Sequence, residues 1–129
     1  MDRTLLVTGG TGSFGNAVVK KFLKSNTYSE IRILSRDESK QDRMAKDYNN
    51  NKLNFYLGDV RDKERVKNVC KGVDVIFHAA ALKIVPSCEN ATWETIKTNI
   101  FGSKNVIEAA IYNKVKNLTL LSTDKSVYP

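Results

Sequence analysis

The sequence predicts an α/β fold: a parallel, doubly wound sheet with helices on both faces. Three observations predict it. Short apolar runs alternate with helical patterns at the βα period. The first apolar run ends abruptly in a glycine cluster, Thr8-Gly9-Gly10-Thr11-Gly12-Ser13-Phe14-Gly15, and a helical pattern (Phe14, Ala17, Val18, Phe22, Leu23) follows at once. The chain of 129 residues is long enough for one domain with a real core.

The elements follow in order. Strand β1 covers residues 4–8, an apolar run suited to burial on both faces. Helix α1 covers 13–24, where apolar residues recur at helical spacing. Strand β2 covers 30–34, with Ile31, Ile33 and Leu34 apolar, and helix α2 covers 38–48. Asn49-Asn50-Asn51 is a short polar loop before strand β3 at 53–57. Helix α3 covers 62–70, with Asp62 as N-cap and Gly72 as the C-cap glycine that ends it. Strand β4 covers 75–79. Helix α4 covers 93–112, with Trp93, Ile96, Ile100 and Ile107 on one apolar face, and strand β5 covers 118–122. Crossover helices between such strands imply the order β3-β2-β1-β4-β5, with a ligand crevice where β1 and β4 diverge. A full sheet of this kind continues past β5, so residues 1–129 are expected to be the N-terminal part of a longer enzyme.

The formal net charge is +7. The lysines are scattered over polar helix faces, and no aromatic residues interleave with a basic stripe. That pattern is a solvated surface rather than a nucleic-acid interface. No apolar run reaches membrane-spanning length, and the N-terminus lacks the basic-then-apolar build of a signal peptide. Cys70 and Cys88 have no C-x-x-C spacing and read as reduced thiols of a cytoplasmic protein; no metal site is expected.

Strand, glycine turn and helix together present backbone N–H groups and the positive end of a helix dipole to a pyrophosphate, the Rossmann-like arrangement for a dinucleotide. Gly10, Gly12 and Gly15 fit G-x-G-x-x-G, and Gly9, Gly12 and Gly15 fit G-x-x-G-x-x-G. In either reading the turn is expected to need positive φ values, and the absent side chains let phosphate approach the backbone. After β2 comes Ser35-Arg36-Asp37-Glu38. A site for NAD commonly puts an acid at this strand end, to hold the ribose 2′-hydroxyl. Here a hydroxyl and a guanidinium stand there, which suits the 2′-phosphate of NADP. The alternative is that Arg36 is a plain surface residue and Asp37 takes the ribose. Asp59, in Gly58-Asp59-Val60, suits an adenine amino group or a cap on the turn into α3. His78-Ala79-Ala80-Ala81 ends β4, where the small side chains of the alanines leave room for a ribose; the histidine itself reads as a packed strand-end residue. Leu121-Ser122-Thr123-Asp124-Lys125 ends β5, where an acid beside a base suits proton transfer, or forms a surface salt bridge.

These segments, with His78-Ala79-Ala80-Ala81-Leu82-Lys83, Val85-Pro86-Ser87-Cys88-Glu89 and Thr98-Asn99, occur in an order and near a spacing that resemble the N-terminal part of the UDP-N-acetylglucosamine 4,6-dehydratases. These are extended short-chain dehydrogenase/reductase enzymes of bacterial polysaccharide synthesis, some of them capsule-type 4,6-dehydratase/5-epimerases. The resemblance covers the whole chain. It implies NADP held by Thr8, Gly9, Gly12, Ser13, Phe14, Gly15, Ser35, Arg36, Asp59, Val60, Ala79, Ala80, Ala81, Lys83, Asn99 and Ser122. It implies a UDP-sugar substrate and a homo-oligomeric full-length enzyme. It further implies a redox-neutral lyase reaction in which hydride leaves sugar C4 and returns at C6. Lys125 would take the C5 proton, Asp124 would protonate the departing C6 hydroxyl, and Thr123 would support the oxygen at C4. The family's Tyr-x-x-x-Lys pair, or its methionine variant, would lie beyond Pro129. The short chain is therefore expected not to turn over a sugar by itself. A non-catalytic dinucleotide-binding module and a nucleotide-sugar 4-epimerase or reductase are the alternatives.

Overall fold

A computed structural model of the chain describes residues 2–9, 11–78 and 89–120, and for 89–99 the backbone alone. The strands are β1 (Thr4–Thr8), β2 (Glu30–Ser35), β3 (Leu53–Leu57), β4 (Val75–His78) and β5 (Asn117–Leu120), all parallel in the order β3-β2-β1-β4-β5. The helices are α1 (Ser13–Ser25), α2 (Glu38–Tyr48), α3 (Lys63–Val69) and α4 (Glu89–Tyr112). The predicted fold class and strand order are those observed.

β1 is central, with Leu5 opposite Ile31 of β2 and opposite Val75 of β4. Strand side chains alternate between faces. Leu5 and Val7 therefore enter a core with Val18, Val19, Ile31, Ile33 and Met44, under α1 and α2. Leu6 enters a second core with Val66, Val69, Ile76, Val106 and Ala109, under α3 and α4. Helices on both faces explain why β1 is apolar at consecutive positions, with Leu5, Leu6 and Val7 all fully buried.

Three expectations need correction. α3 ends on Cys70 in a right-handed conformation, so Gly72 is not its cap. Gly72 instead takes φ 76 in a tight turn closed by the Val73 N–H on the Cys70 carbonyl, at 3.1 Å. α4 begins at Glu89, about one turn before the expected residue 93. Among its described side chains the buried stripe is Gly102, Val106, Ala109 and Ala110, while Ile100 and Ile107 face outward at 58% and 38% exposure; the side chains of Trp93 and Ile96 lie outside the described residues. The reason is close approach: a Cβ on Gly102 would stand 2.6 Å from Val60 Cγ2, so only a narrow helix face fits here.

Candidate functional site

The parallel register brings the ends of β1, β2, β3 and β4 to one edge of the sheet, with Thr8 opposite both Leu34 and His78, and Ser35 opposite Leu57. The glycine turn rises from this edge. Gly9 has φ 70, and its N–H donates to the Leu34 carbonyl at 2.9 Å, tying the turn to β2. The Gly12 N–H donates back to the Gly9 carbonyl at 3.1 Å. Gly12 is the N-cap of α1, at φ −78 and ψ 176. That is extended backbone open to any residue, so the expected positive φ holds at Gly9 and not at Gly12. A Cβ at Gly12 would meet only the Gly9 carbonyl oxygen, at an ordinary 3.5 Å.

The chain's own packing therefore does not require glycine at position 12. A side chain there would project into the open space over the turn, where Gly12, Ser13 and Phe14 are all exposed. α1 has no side-chain cap and no acid in its first turn. The leading N–H groups of a helix have no acceptor within the helix. Among the described residues no side chain caps them, at the positive end of the dipole. Asn16 braces the turn by donating from Nδ2 to the carbonyls of Thr11 (3.3 Å) and Gly12 (3.2 Å), and Tyr48 Oη donates to the Asn16 side chain and carbonyl at 3.3 Å. Gly15, in the first turn of α1, is buried.

At the β2 tip, Ser35 is buried, and its Oγ accepts from Gln41 Nε2 at 2.8 Å. Gln41 also donates to the Tyr56 carbonyl at 2.9 Å, which locks the ends of β2 and β3 together. Ser35 is thus engaged inward, while the Arg36 side chain stands 68% exposed at the rim. Asp37 caps α2, accepting from the Lys40 N–H at 3.1 Å. At the β3 tip, Asp62 is the N-cap of α3, accepting from the Arg65 N–H at 3.2 Å, and Asp59 caps the turn before it, as the sequence suggested: its Oδ1 accepts from the Arg61 N–H at 2.9 Å. The Asp59 carboxylate also accepts from the Arg61 guanidinium and lies 3.7 Å from Arg36. The Arg61 side-chain hydrogen bonds hold its pKa below the usual value against the opposing effect of burial. Val60 is half-buried, and its carbonyl accepts from Asn105 Nδ2 at 2.9 Å.

His78 is the packed residue the sequence suggested. Its Nδ1 lies 2.5 Å from Thr8 Oγ1 and its Nε2 lies 3.2 Å from Ser103 Oγ. Burial pushes its pKa down to about 4, so the ring is neutral near pH 7. Thr8 is fully buried, with its hydroxyl turned to this ring.

Ala79, Ala80, Ala81, Lys83, Ser122, Thr123, Asp124 and Lys125 lie outside the described residues, and Asn99 is described only as α4 backbone. The structure thus brings together the glycine turn, Ser35, Arg36, Asp59 and Val60. Sequence reasoning missed Asn16, Gln41, Tyr48, Arg61 and Ser103, which brace these residues. Only Asn16, a side chain able to bond backbone in the first turn of a helix, carried a local signal. The arrangement fits a phosphate-bearing ligand: open backbone donors at a dipole end, an absent side chain above them, and an exposed guanidinium at the next strand.

Among known proteins, a family described as polysaccharide biosynthesis protein matches residues 5–129. The UDP-glucose 4-epimerase of Rickettsia prowazekii is 57% identical over 132 aligned residues, which cover 100% of this chain and 39% of that protein. The chain therefore spans about two fifths of the length of such relatives. Among solved structures, Pen from Bacillus thuringiensis superposes with a TM-score of 0.85 at 35% identity, over 92% of this chain and 36% of that one. The dTDP-glucose 4,6-dehydratase DesIV of Streptomyces venezuelae, solved with NAD bound, gives a TM-score of 0.76 at 25% identity, over 89% of this chain and 38% of that one.

Proposed function

Because this chain belongs to the polysaccharide biosynthesis protein family, we propose that it is the NADP-binding part of a nucleotide-sugar 4,6-dehydratase acting on UDP-N-acetylglucosamine. The observation that carries the cofactor reading is Gly12: an uncapped helix N-terminus whose glycine the chain's own packing does not need. Residues 12–15 would hold the pyrophosphate, and Arg36 would hold the 2′-phosphate. Among the described residues, Asp37 and Asp62 cap helices and Asp59 is held by Arg61. The nicotinamide, when bound, would supply the site with a hydride acceptor for sugar C4 and a donor for C6.

The elimination belongs to the segment after β5. By the resemblance above, Lys125 takes the C5 proton and Asp124 protonates the departing C6 hydroxyl, so that water leaves. Thr123 supports the oxygen at C4. A second reading, a UDP-sugar 4-epimerase, is favoured by the name of the Rickettsia relative. Both readings begin with hydride leaving C4. They part at C5–C6, where a simple epimerase needs no acid–base pair.

Two measurements test this. Calorimetry on the 129-residue chain is expected to give a lower Kd for NADP than for NAD. Equal affinities would overturn the cofactor reading. A protein of the relatives' length carrying these residues is expected to convert UDP-N-acetylglucosamine to a 4-keto-6-deoxy sugar, with loss of water seen by mass spectrometry. A 4-epimer of unchanged mass would favour the second reading. In that protein Asp124→Asn and Lys125→Ala should slow water loss about 10² to 10⁴-fold, the usual contribution of a proton-transfer group, and leave C4 oxidation much less affected.

A further inference from the structure

We propose that Arg61 sets the cofactor preference of this site by holding the Asp59 carboxylate, so that Arg36 stays free for a ribose 2′-phosphate. This rests on the NADP reading above. Asp59 and Arg36 follow adjacent strands, and their nearest charged atoms are 3.7 Å apart, a loose pair. Arg61 binds the same carboxylate much more closely. Its backbone N–H reaches Oδ1 at 2.9 Å, its Nε reaches Oδ1 and Oδ2 at 3.3 and 3.1 Å, and its Nη2 reaches Oδ2 at 2.8 Å. A guanidinium set side-on against a carboxylate is geometrically specific in a way a point charge is not.

The charge arithmetic follows. Two guanidiniums and one carboxylate leave a net positive rim, and the carboxylate's lone pairs point at Arg61. Without the Arg61 side chain, Asp59 can close the remaining gap to Arg36. A 2′-phosphate would then meet a neutralised arginine and an adjacent carboxylate. NAD, with a 2′-hydroxyl, would lose little or would gain an acceptor. Arg61 is thus a positioning residue that acts through Asp59. Its side chain is half exposed, so the core does not depend on it.

The test is a double-mutant cycle read by calorimetry as the ratio Kd(NAD)/Kd(NADP), which a general loss of fold or adenine contact does not move. Arg61→Ala is expected to lower the ratio about tenfold, as for one carboxylate released onto Arg36 a few ångströms from the phosphate in a partly screened setting. Asp59→Asn is expected to keep or raise the ratio, and Arg61→Ala added to Asp59→Asn should change it no further. An unchanged ratio in Arg61→Ala, with the unmutated chain still preferring NADP, overturns the proposal alone. An equal fall in the Asp59→Asn background also overturns it, since Arg61 would then touch the phosphate itself. If the unmutated chain shows no preference for NADP, the cofactor reading fails and this proposal falls with it.

Discussion

The N-termini of α1 and α3 stand at the same edge of the sheet and are built in opposite ways. α3 closes itself: Asp62 caps it, accepting from the Arg65 N–H, and Glu64 sits in its first turn. α2 does the same with Asp37 and Glu38. α1 has glycine as its cap, no side-chain acceptor and no acid. A carboxylate at such an end stabilises a helix by about 1 kcal/mol through capping and dipole compensation. α1 forgoes that stabilisation, although Gly12 has a backbone conformation in which an aspartate would fit. The difference separates helix ends satisfied from within the chain from one left to be satisfied by something outside it.

The largest way to break the contrast is to fill the open end. Gly12→Val is expected to raise the Kd for NADP at least a hundredfold while moving the melting temperature little, because φ −78 suits a branched residue and its Cβ meets only an ordinary contact. Calorimetry and a thermal melt on the same sample check both halves. Unchanged affinity would mean the phosphate cradle lies elsewhere.

Beneath the open turn, His78 sharpens the picture through pH. Its folded pKa of about 4 lies below its ordinary value of 6.5, so protonation favours the unfolded chain. Its contribution is complete above pH 6.5 and is lost as the pH falls toward 4. Thr8 and Ser103 are the groups bonded to the ring, and neither carries a charge. The expected loss is on the order of 3 kcal/mol over that window. Urea unfolding of the unmutated chain and of His78→Asn at pH 7, 5.5 and 4 should show a steeper acid loss in the former. Parallel pH profiles would contradict it.

Smaller effects divide binding from stability. Arg36→Ala should weaken NADP about tenfold or more, one charge-assisted phosphate contact, and leave NAD nearly unchanged by calorimetry. Asp62→Ala should do the reverse: about 1 kcal/mol less stable by urea unfolding, with the NADP affinity intact. If Asp62→Ala also abolished binding, the two helix ends would not be functionally distinct.

Much of this organisation was legible in the residues. The periods of the apolar pattern mark β1, α2 and β3 to the residue, and the order of the sheet follows from βα alternation. The Asp62 cap was legible because aspartate before a helical run has one common use. What the pattern hid has physical causes. A glycine looks the same whether it supplies a positive φ, as Gly9 does, or absent bulk, as Gly12 does. Helix α4 misled because large apolar residues usually mark the buried face. Here, among the described side chains, the approach of α4 to Val60 and α3 buries Gly102, Val106, Ala109 and Ala110. The turn cap at Asp59 was legible, but its pairing with the Arg61 guanidinium was not, because that depends on side-chain geometry that spacing does not reveal.

The central claim, that the open end of α1 receives the dinucleotide, is tested most directly by following backbone amide signals in two-dimensional NMR while NADP is titrated into the ¹⁵N-labelled chain. The account predicts the largest shifts at Gly12, Ser13, Phe14 and Gly15, with the Lys63, Glu64 and Arg65 amides of self-capped α3 moving far less. Shifts largest at α3, or spread evenly over the surface with none at residues 12–15, would contradict it.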